Sequence, residues 1–140
     1  MLDTKVISVV IDKASNALIS SIDKEGFPNT KAMLAPRKRE GIKVFYFTTN
    51  TSSQRVKQYQ DNPKACLYFY NKLMYSYKGV MLKGTMEVLQ DQESKNSIWK
   101  PTDTMFYKGG VTDPDYCVLK FTATKGRYYC NFKSGDFTIE

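Results

Sequence analysis

The chain of 140 residues contains no histidine. Histidine is the commonest general base, the usual partner of a serine or cysteine nucleophile, and a frequent zinc ligand. Its absence excludes Ser-His and Cys-His nucleophilic pairs, imidazole metal sites and a histidine general base. Any chemistry of this protein must therefore come from other groups.

Cysteines and long apolar runs are also scarce. The three cysteines, Cys66, Cys117 and Cys130, are an odd number, and no two of them are spaced as a metal-binding CxxC pair. Each stands among strand-like residues, which favours buried, reduced thiols. No apolar run approaches the ~20 residues that span a bilayer, and no charged-then-apolar leader opens the chain. We expect a soluble, cytoplasmic protein.

Acidic residues are fewer than basic ones, 14 against 21, which gives a formal net charge of +7. Together with ten tyrosines and eight phenylalanines, this charge would suit a β-barrel that binds nucleic acid by stacking. Against that interpretation, the basic residues are dispersed except for Arg37-Lys38-Arg39, which we interpret as a solvated turn. Nucleic acid is therefore an unlikely partner and is kept only as an alternative.

The length is that of one domain covering residues 1–140. A domain of this size buries roughly 70% of the surface that its unfolded chain exposes. With 41% hydrophobic and 14% aromatic residues, the chain can fill such a core. Intrinsic disorder is excluded.

Alternating and β-branched segments separated by turn residues predict a mainly β protein with short helices. The predicted strands are Asn16–Asp23, Asn29–Ala35, Ile42–Thr49, Lys64–Tyr70, Tyr75–Leu89, Tyr116–Thr124 and Arg127–Phe132, the last two forming a closing pair. The predicted helices are Asp3–Ala14, Ser52–Asp61 and Asp91–Ser97. Residues 6–11 of the first helix would also suit a strand because they are rich in β-branched side chains. Six or seven strands of this kind indicate a small antiparallel barrel.

Residues 51–54 read Thr-Ser-Ser-Gln, which fits a capping box at the start of the second helix. In such a box Thr51 and Gln54 each accept a hydrogen bond from the other's backbone amide. The helix should stop at Asn62-Pro63, because a residue before proline is disfavoured in helical geometry.

The same segment can bind an anion. Helix N-terminal amides lack intrahelical partners and carry partial positive charge, and Thr49, Ser53 and Arg55 can add donors. Lys31, on a neighbouring predicted strand, could clamp the same phosphate from the other side. Two interpretations stay open here: an anion site, or hydroxyls that only cap the helix beside a surface lysine.

Four stretches resemble a known family. They are Lys31-Ala32-Met33-Leu34, then Val44 to Asn50, then Ser53-Gln54-Arg55, then Asn62 to Phe69; Gly84-Thr85-Met86-Glu87-Val88 and the segments 113–116 and 126–129 extend the likeness. The chain resembles the pyridoxamine 5′-phosphate oxidase-like family of FMN-binding split barrels, in its short general-stress-protein branch. The resemblance implies a six- to seven-stranded antiparallel split barrel of the FMN-binding type.

The resemblance also implies a site and a function. Lys31 and Arg55 would hold the FMN phosphate, and the main chain of Ala32, Met33 and Leu34 would run beside the isoalloxazine ring. The polar residues near the phosphate would be Thr48, Thr49, Ser53 and Gln54. The resemblance implies a homodimeric flavoprotein with flavin at the interface, expected to be an oxidoreductase acting on an unknown small molecule. No catalytic side chain is identified, and no metal is implied.

The chain departs from the family's pattern in two places. The Arg/His-bearing end of genuine pyridoxamine-phosphate oxidases is missing, and Gly79 stands where the family has a flavin-contacting glutamine. The remaining cations available for a substrate phosphate, Lys72, Lys78 and Lys100, form no compact cluster in the sequence. We therefore expect no oxidation of vitamin B6, and a barrel that has lost its flavin is a further alternative.

Three aromatic residues in the irregular segment before residue 115 have two possible roles. Trp99, Phe106 and Tyr107 would either cover a flavin or substrate, or pack between the barrel and a helix. The sequence leaves both roles open.

Overall fold

An eight-stranded antiparallel sheet forms the body of the fold in the computed structural model, which describes residues 3–140. The strands are β1 (Asn16–Ile22), β2 (Pro28–Leu34), β3 (Lys38–Glu40), β4 (Val44–Asn50), β5 (Lys64–Leu73), β6 (Ser76–Leu89), β7 (Tyr116–Cys130) and β8 (Lys133–Thr138). The α-helices are α1 (Thr4–Lys13), α2 (Gln54–Asp61) and α3 (Gln92–Ile98). Two 3₁₀ helices follow α3, at Pro101–Met105 and Gly110–Thr112.

The strand order is β2-β1-β5-β6-β7-β4-β3, with β8 paired to the far half of β7. β2 and β4 are thus separated by four strands in the sheet, yet residues of both line one groove. The sheet therefore curves back on itself as a barrel that is not closed. The predicted antiparallel split barrel is confirmed, and the gap between β2 and β4 is its open seam.

The inner face of the sheet forms the core. Along β4, Phe45, Phe47 and Thr49 are buried while the alternate residues are half-buried. The Phe45 ring lies 5.7 Å from that of Phe69 and 6.2 Å from that of Phe121. The prediction that β4 is an interior strand, based on its two apolar faces, is confirmed, because β4 pairs with both β3 and β7.

The long strands β6 and β7 pair along most of their length, with a register shift between Lys83 and Gly84. A Cβ atom at Gly84 would collide with the Thr122 carbonyl of β7. Glycine is therefore required where the two backbones approach.

The end of the sheet differs from the prediction. Tyr116–Thr124 and Arg127–Phe132 do not pair with each other, because residues 116–130 form the single strand β7, which pairs with β6 from Val118 to Cys130. The chain reverses instead at Asn131 and Phe132, which have φ values of 45° and 74°, a conformation typical of tight hairpin turns. The hairpin partner β8 and the three-residue β3 are additional strands, so six or seven strands was an underestimate.

The first helix is confirmed as a helix rather than a strand. The Asp3 side chain caps it by accepting a hydrogen bond from the Lys5 amide, and Ile7, Val10 and Ile11 are buried against the sheet. None of the helices within residues 3–140 has the length and apolar character needed to cross a membrane.

Candidate functional site

A groove of about 550 Å³ opens at the seam of the barrel. Its walls come from the end of β2 and the residues that follow it, the end of β4, the first turn of α2, and the 3₁₀ segment after α3. The predicted site residues that line it are Lys31, Ala32, Met33, Leu34, Thr48, Thr49 and Arg55. Two others, Ser53 and Gln54, do not line it. The fold thus gathers both predicted phosphate-binding cations in one groove.

Helix α2 is fixed against the β1–β2 hairpin by polar side chains. The Gln58 Oε1 atom accepts a hydrogen bond of 2.9 Å from Asn29 Nδ2 on β2, and the Tyr59 hydroxyl donates to a β1 carbonyl at 3.1 Å. Burial raises the pKa of Tyr59, so this hydroxyl stays protonated as a donor. Because Arg55 lies one turn earlier on the same helix, these contacts set its position relative to Lys31.

The start of α2 holds two buried donors without a partner. The Arg55 Nη2 atom donates to Thr49 Oγ1 at 2.8 Å, but Arg55 Nε and Ser53 Oγ find no hydrogen-bond partner within residues 3–140. Nearly all buried polar atoms in proteins are hydrogen-bonded, so unsatisfied ones call for an explanation. Two donors on neighbouring residues fit a ligand with several acceptor oxygens, such as a phosphate.

The predicted capping box at Thr51 and Gln54 is wrong. Helix α2 begins at Gln54, and its N-cap Ser53 makes no side-chain capping bond. Asp115, from the far end of the 3₁₀ segment, satisfies this turn instead: its carbonyl accepts from the Thr51 amide and its carboxylate from the Ser52 amide, both at 2.8 Å. A hydrogen bond from Asn50 holds the pKa of Asp115 below its usual range. A contact 63 residues away in sequence thus replaces the local one.

The opposite wall of the groove is held by an ion pair that the sequence did not indicate. Arg37 donates to both carboxylate oxygens of Asp103, at 2.7 and 2.9 Å, and to the Ile98 carbonyl at 2.8 Å. The Asp103 side chain is 3% exposed and that of Arg37 15%. The guanidinium lowers the pKa of Asp103, so the carboxylate remains charged and ties the 3₁₀ helix to the segment after β2.

The interpretation of Arg37-Lys38-Arg39 as a solvated turn is therefore wrong. Arg37 is engaged with Asp103, Lys38 opens strand β3, and Arg39 pairs with Asp12 of α1 at 2.8 Å. Sequence alone shows three adjacent cations but not their partners, which lie far away along the chain.

The three aromatic residues divide between the two expected roles. Tyr107 is 4% exposed, and its ring packs 4.9 Å from Tyr116 and 6.2 Å from Trp99, so Tyr107 and Trp99 are packing residues. Phe106 is 58% exposed and lines the groove. Among the three, Phe106 is the ring placed to cover a ligand.

Gly79 lies outside the groove lining. It is buried in β6, and a Cβ atom there would collide with the Tyr68 hydroxyl, which is hydrogen-bonded to Tyr77. The space that a larger residue would need at this position is therefore filled by the chain's own tyrosine. Of the other lysines considered, Lys100 lines the groove, while Lys72 and Lys78 line a separate cavity.

The groove can bind and orient a ligand but offers no acid–base pair. Its one buried carboxylate, Asp103, is engaged by Arg37, and burial raises the pKa of Tyr107. No cluster of three or more potential metal-binding acids or thiols occurs within residues 3–140. The side chains present are suited to hold an anionic, partly planar group.

The chain matches one family model along nearly its whole length. The sequence model of a family described as pyridoxamine 5′-phosphate oxidase like matches residues 3–139. A pyridoxine/pyridoxamine 5′-phosphate oxidase of Legionella pneumophila is 30% identical over 77 residues, which are 55% of this chain and 34% of that protein. The match therefore spans about a third of the length of this curated relative.

Two solved structures share the fold along nearly the whole chain. A protein related to general stress protein 26, of the pyridoxinephosphate oxidase family, from Clostridium acetobutylicum has a TM-score of 0.86 and 35% identity, covering 99% of this chain and 97% of its own. General stress protein 26 from Bacillus anthracis has a TM-score of 0.77 and 18% identity, covering 97% and 98%. At the lower identity the likeness shows the fold alone.

Proposed function

Since the chain belongs to the pyridoxamine 5′-phosphate oxidase-like family, we propose that it binds FMN in the seam groove and acts as an oxidoreductase on a small molecule. The observation that carries this proposal is the convergence of Lys31 and Arg55 on one groove, where the buried Arg55 Nε finds no hydrogen-bond partner within residues 3–140. Bound FMN would supply electron transfer, while the protein binds, orients and shields it.

The phosphate end of the ligand belongs at the start of α2. Arg55 contributes a positive charge and Lys31 a second one from β2, and both line the groove. Thr49 is 3% exposed and keeps the Arg55 guanidinium in place through its hydroxyl. These groups hold and neutralise an anion.

The ring end belongs along β2. This strand lies at the end of the sheet and pairs only with β1, so one edge of its main chain is open to a ligand beside Ala32, Met33 and Leu34. Phe106 faces the same space across the groove. With the flavin ring between β2 and Phe106, the Phe106 side chain would exclude water from one side of the ligand.

We also propose a homodimer with the flavin at its interface. The groove is shallow, and the large apolar side chains Leu34 and Phe106 on its rim are 67% and 58% exposed. A partner subunit would cover them, since large exposed apolar patches usually mark an interface. Sedimentation velocity of the purified protein should give a dimer, and a monomer that retains one FMN per chain would contradict the proposal.

The proposed function excludes pyridoxamine 5′-phosphate as a good substrate. A second phosphate needs its own cations; of the groove-lining residues within 3–140, Lys31 and Arg55 are assigned to FMN and Arg37 is paired with Asp103, which leaves Lys100. We expect the FMN-loaded protein to form aldehyde from pyridoxamine 5′-phosphate no faster than free FMN at the same concentration. A rate well above that control would show that other residues bind this substrate.

The identity of the bound molecule tests the proposal directly. We expect the protein to be yellow as purified, or after incubation with FMN and gel filtration, and to release FMN on denaturation. A haem spectrum, or failure to retain FMN, would overturn it. A colourless protein that retains oligonucleotides in a salt-sensitive manner would favour the nucleic-acid-binding alternative.

The three free cysteines support the cytoplasm as the proposed location.

A further inference from the structure

A second cavity, of about 700 Å³, lies between α1 and the hairpin that joins β5 to β6. It shares no lining residue with the seam groove. The Asn71 side chain of β5 fixes α1 to the sheet by donating to the Val10 carbonyl at 3.1 Å. The cavity is thus built from two elements with a defined contact, and its volume lies within the usual range for small-molecule sites.

One part of this cavity is apolar. Val6 and Val9 of α1 are 38% and 48% exposed, and Tyr70 and Leu73 of β5 are 44% and 71% exposed. All four line the cavity. Clustered apolar side chains that face a concavity rather than the core are a common mark of a binding site.

The other part is cationic. Lys13 at the end of α1 and Lys72 and Lys78 on the hairpin line the cavity, and none of its lining residues in the described part of the chain, 3–140, carries a carboxylate. The nearby Asp12 is paired with Arg39, and the three ion pairs formed within residues 3–140 all use arginine. Lys78 is half-buried, and it takes part in none of the ion pairs formed within residues 3–140.

We propose that this cavity binds an amphiphilic organic anion, in which an apolar body lies against the valines, Tyr70 and Leu73 and an acidic head meets the lysines. A second copy of the chain, whose formal net charge is +7, is a poorer electrostatic complement to these lysines than an anion. The apolar walls make a poor surface for a nucleic acid, whose charged backbone is bound by Lys, Arg and polar groups. This proposal does not depend on the function of the seam groove.

Decanoate is a suitable probe, since it combines a carboxylate with an apolar chain. We expect calorimetric titration of the purified protein to give saturable binding, tighter than that of decanol or butanoate. Replacing both hairpin lysines, Lys72→Gln and Lys78→Gln, should weaken decanoate binding at least about tenfold, because each charge-assisted contact is lost. The flavin content of the variant should not change.

The matched control removes the same charge elsewhere. Lys57→Gln with Lys108→Gln alters two exposed lysines that do not line the cavity, and it should leave decanoate affinity unchanged. Equal weakening in both double variants would reduce the effect to net charge and overturn the proposal. So would the absence of decanoate binding, decanol binding as tightly as decanoate, or retention by anionic phospholipid vesicles without binding of free decanoate.

Discussion

Replacing Asp103 with asparagine is expected to lower the free energy of unfolding by about 3 kcal/mol. The substitution keeps the size of the side chain but leaves the Arg37 guanidinium, 15% exposed, without its charged partner. Removing one member of a buried pair is costly because the other charge stays desolvated. Urea denaturation followed by circular dichroism measures the change.

A matched control is available on the surface. Asp136 pairs with Arg127 at a similar distance, 2.8 Å, but their side chains are 79% and 49% exposed. Asp136→Asn should change the free energy of unfolding by less than about 1 kcal/mol. If the two variants lose equal stability, the Arg37–Asp103 pair does not hold the groove wall in the way described.

The same carboxylate predicts a dependence on pH. Arg37 lowers the pKa of Asp103 in the folded protein. The ion pair therefore contributes fully to the stability of the fold above the ordinary carboxyl pKa of about 4. This contribution is lost as the pH falls through the lowered pKa of Asp103. The stability difference between wild type and Asp103→Asn should therefore shrink in acid. A difference that stays constant from pH 7 to about pH 2 would contradict this account.

Replacing Arg55 with alanine is expected to weaken FMN binding by about 10- to 100-fold, which corresponds to one charge-assisted phosphate contact. Folding should change little. The variant loses the bond to Thr49, but it also removes the Nε donor that has no partner, so the free energy of unfolding should stay within about 1 kcal/mol of wild type. Fluorescence titration with FMN measures the affinity.

Lys57→Ala is the matched control for Arg55→Ala. It removes one positive charge from the same helix, at an exposed position that does not line the groove. Wild-type affinity for FMN in this variant, with loss in Arg55→Ala, would place the phosphate at Arg55. Equal affinity in all three proteins would remove Arg55 from the site.

Local patterns predicted the elements that depend on nearby residues. Two apolar faces identified β4 as an interior strand, and the Asn62-Pro63 pair ended α2 after Asp61, where the structure ends it. Arg55 was predicted as a phosphate ligand because a strand end, a hydroxyl-rich turn and a cation in the first helical turn form a local pattern, and it lies in one groove with Lys31. The resemblance then extended that pattern to the neighbouring residues of β2.

Features that depend on distant residues were missed. Asp115 accepts a hydrogen bond from the Ser52 amide, 63 residues away in sequence, where a local capping box was predicted. Arg37 pairs with Asp103, 66 residues away, where a solvated turn was predicted. Lys125-Gly126 looked like a turn, yet β6 extends across it and keeps β7 continuous. Strand β8, with Ser134, Gly135 and Asp136, has little strand propensity of its own and forms against β7.

The open seam also determines when the groove can exist during synthesis of the protein. Lys31 and Thr49 are made early, but β4 joins the rest of the sheet only through β7, whose Cys117 pairs with Thr49. Strand β7 pairs with β4 through residues 116–122, so the chain up to this point must leave the ribosome before the two walls meet. A nascent chain stalled before β7 would carry Lys31 and Arg55 but no groove, and a ligand of the groove can be acquired only once β7 is in place.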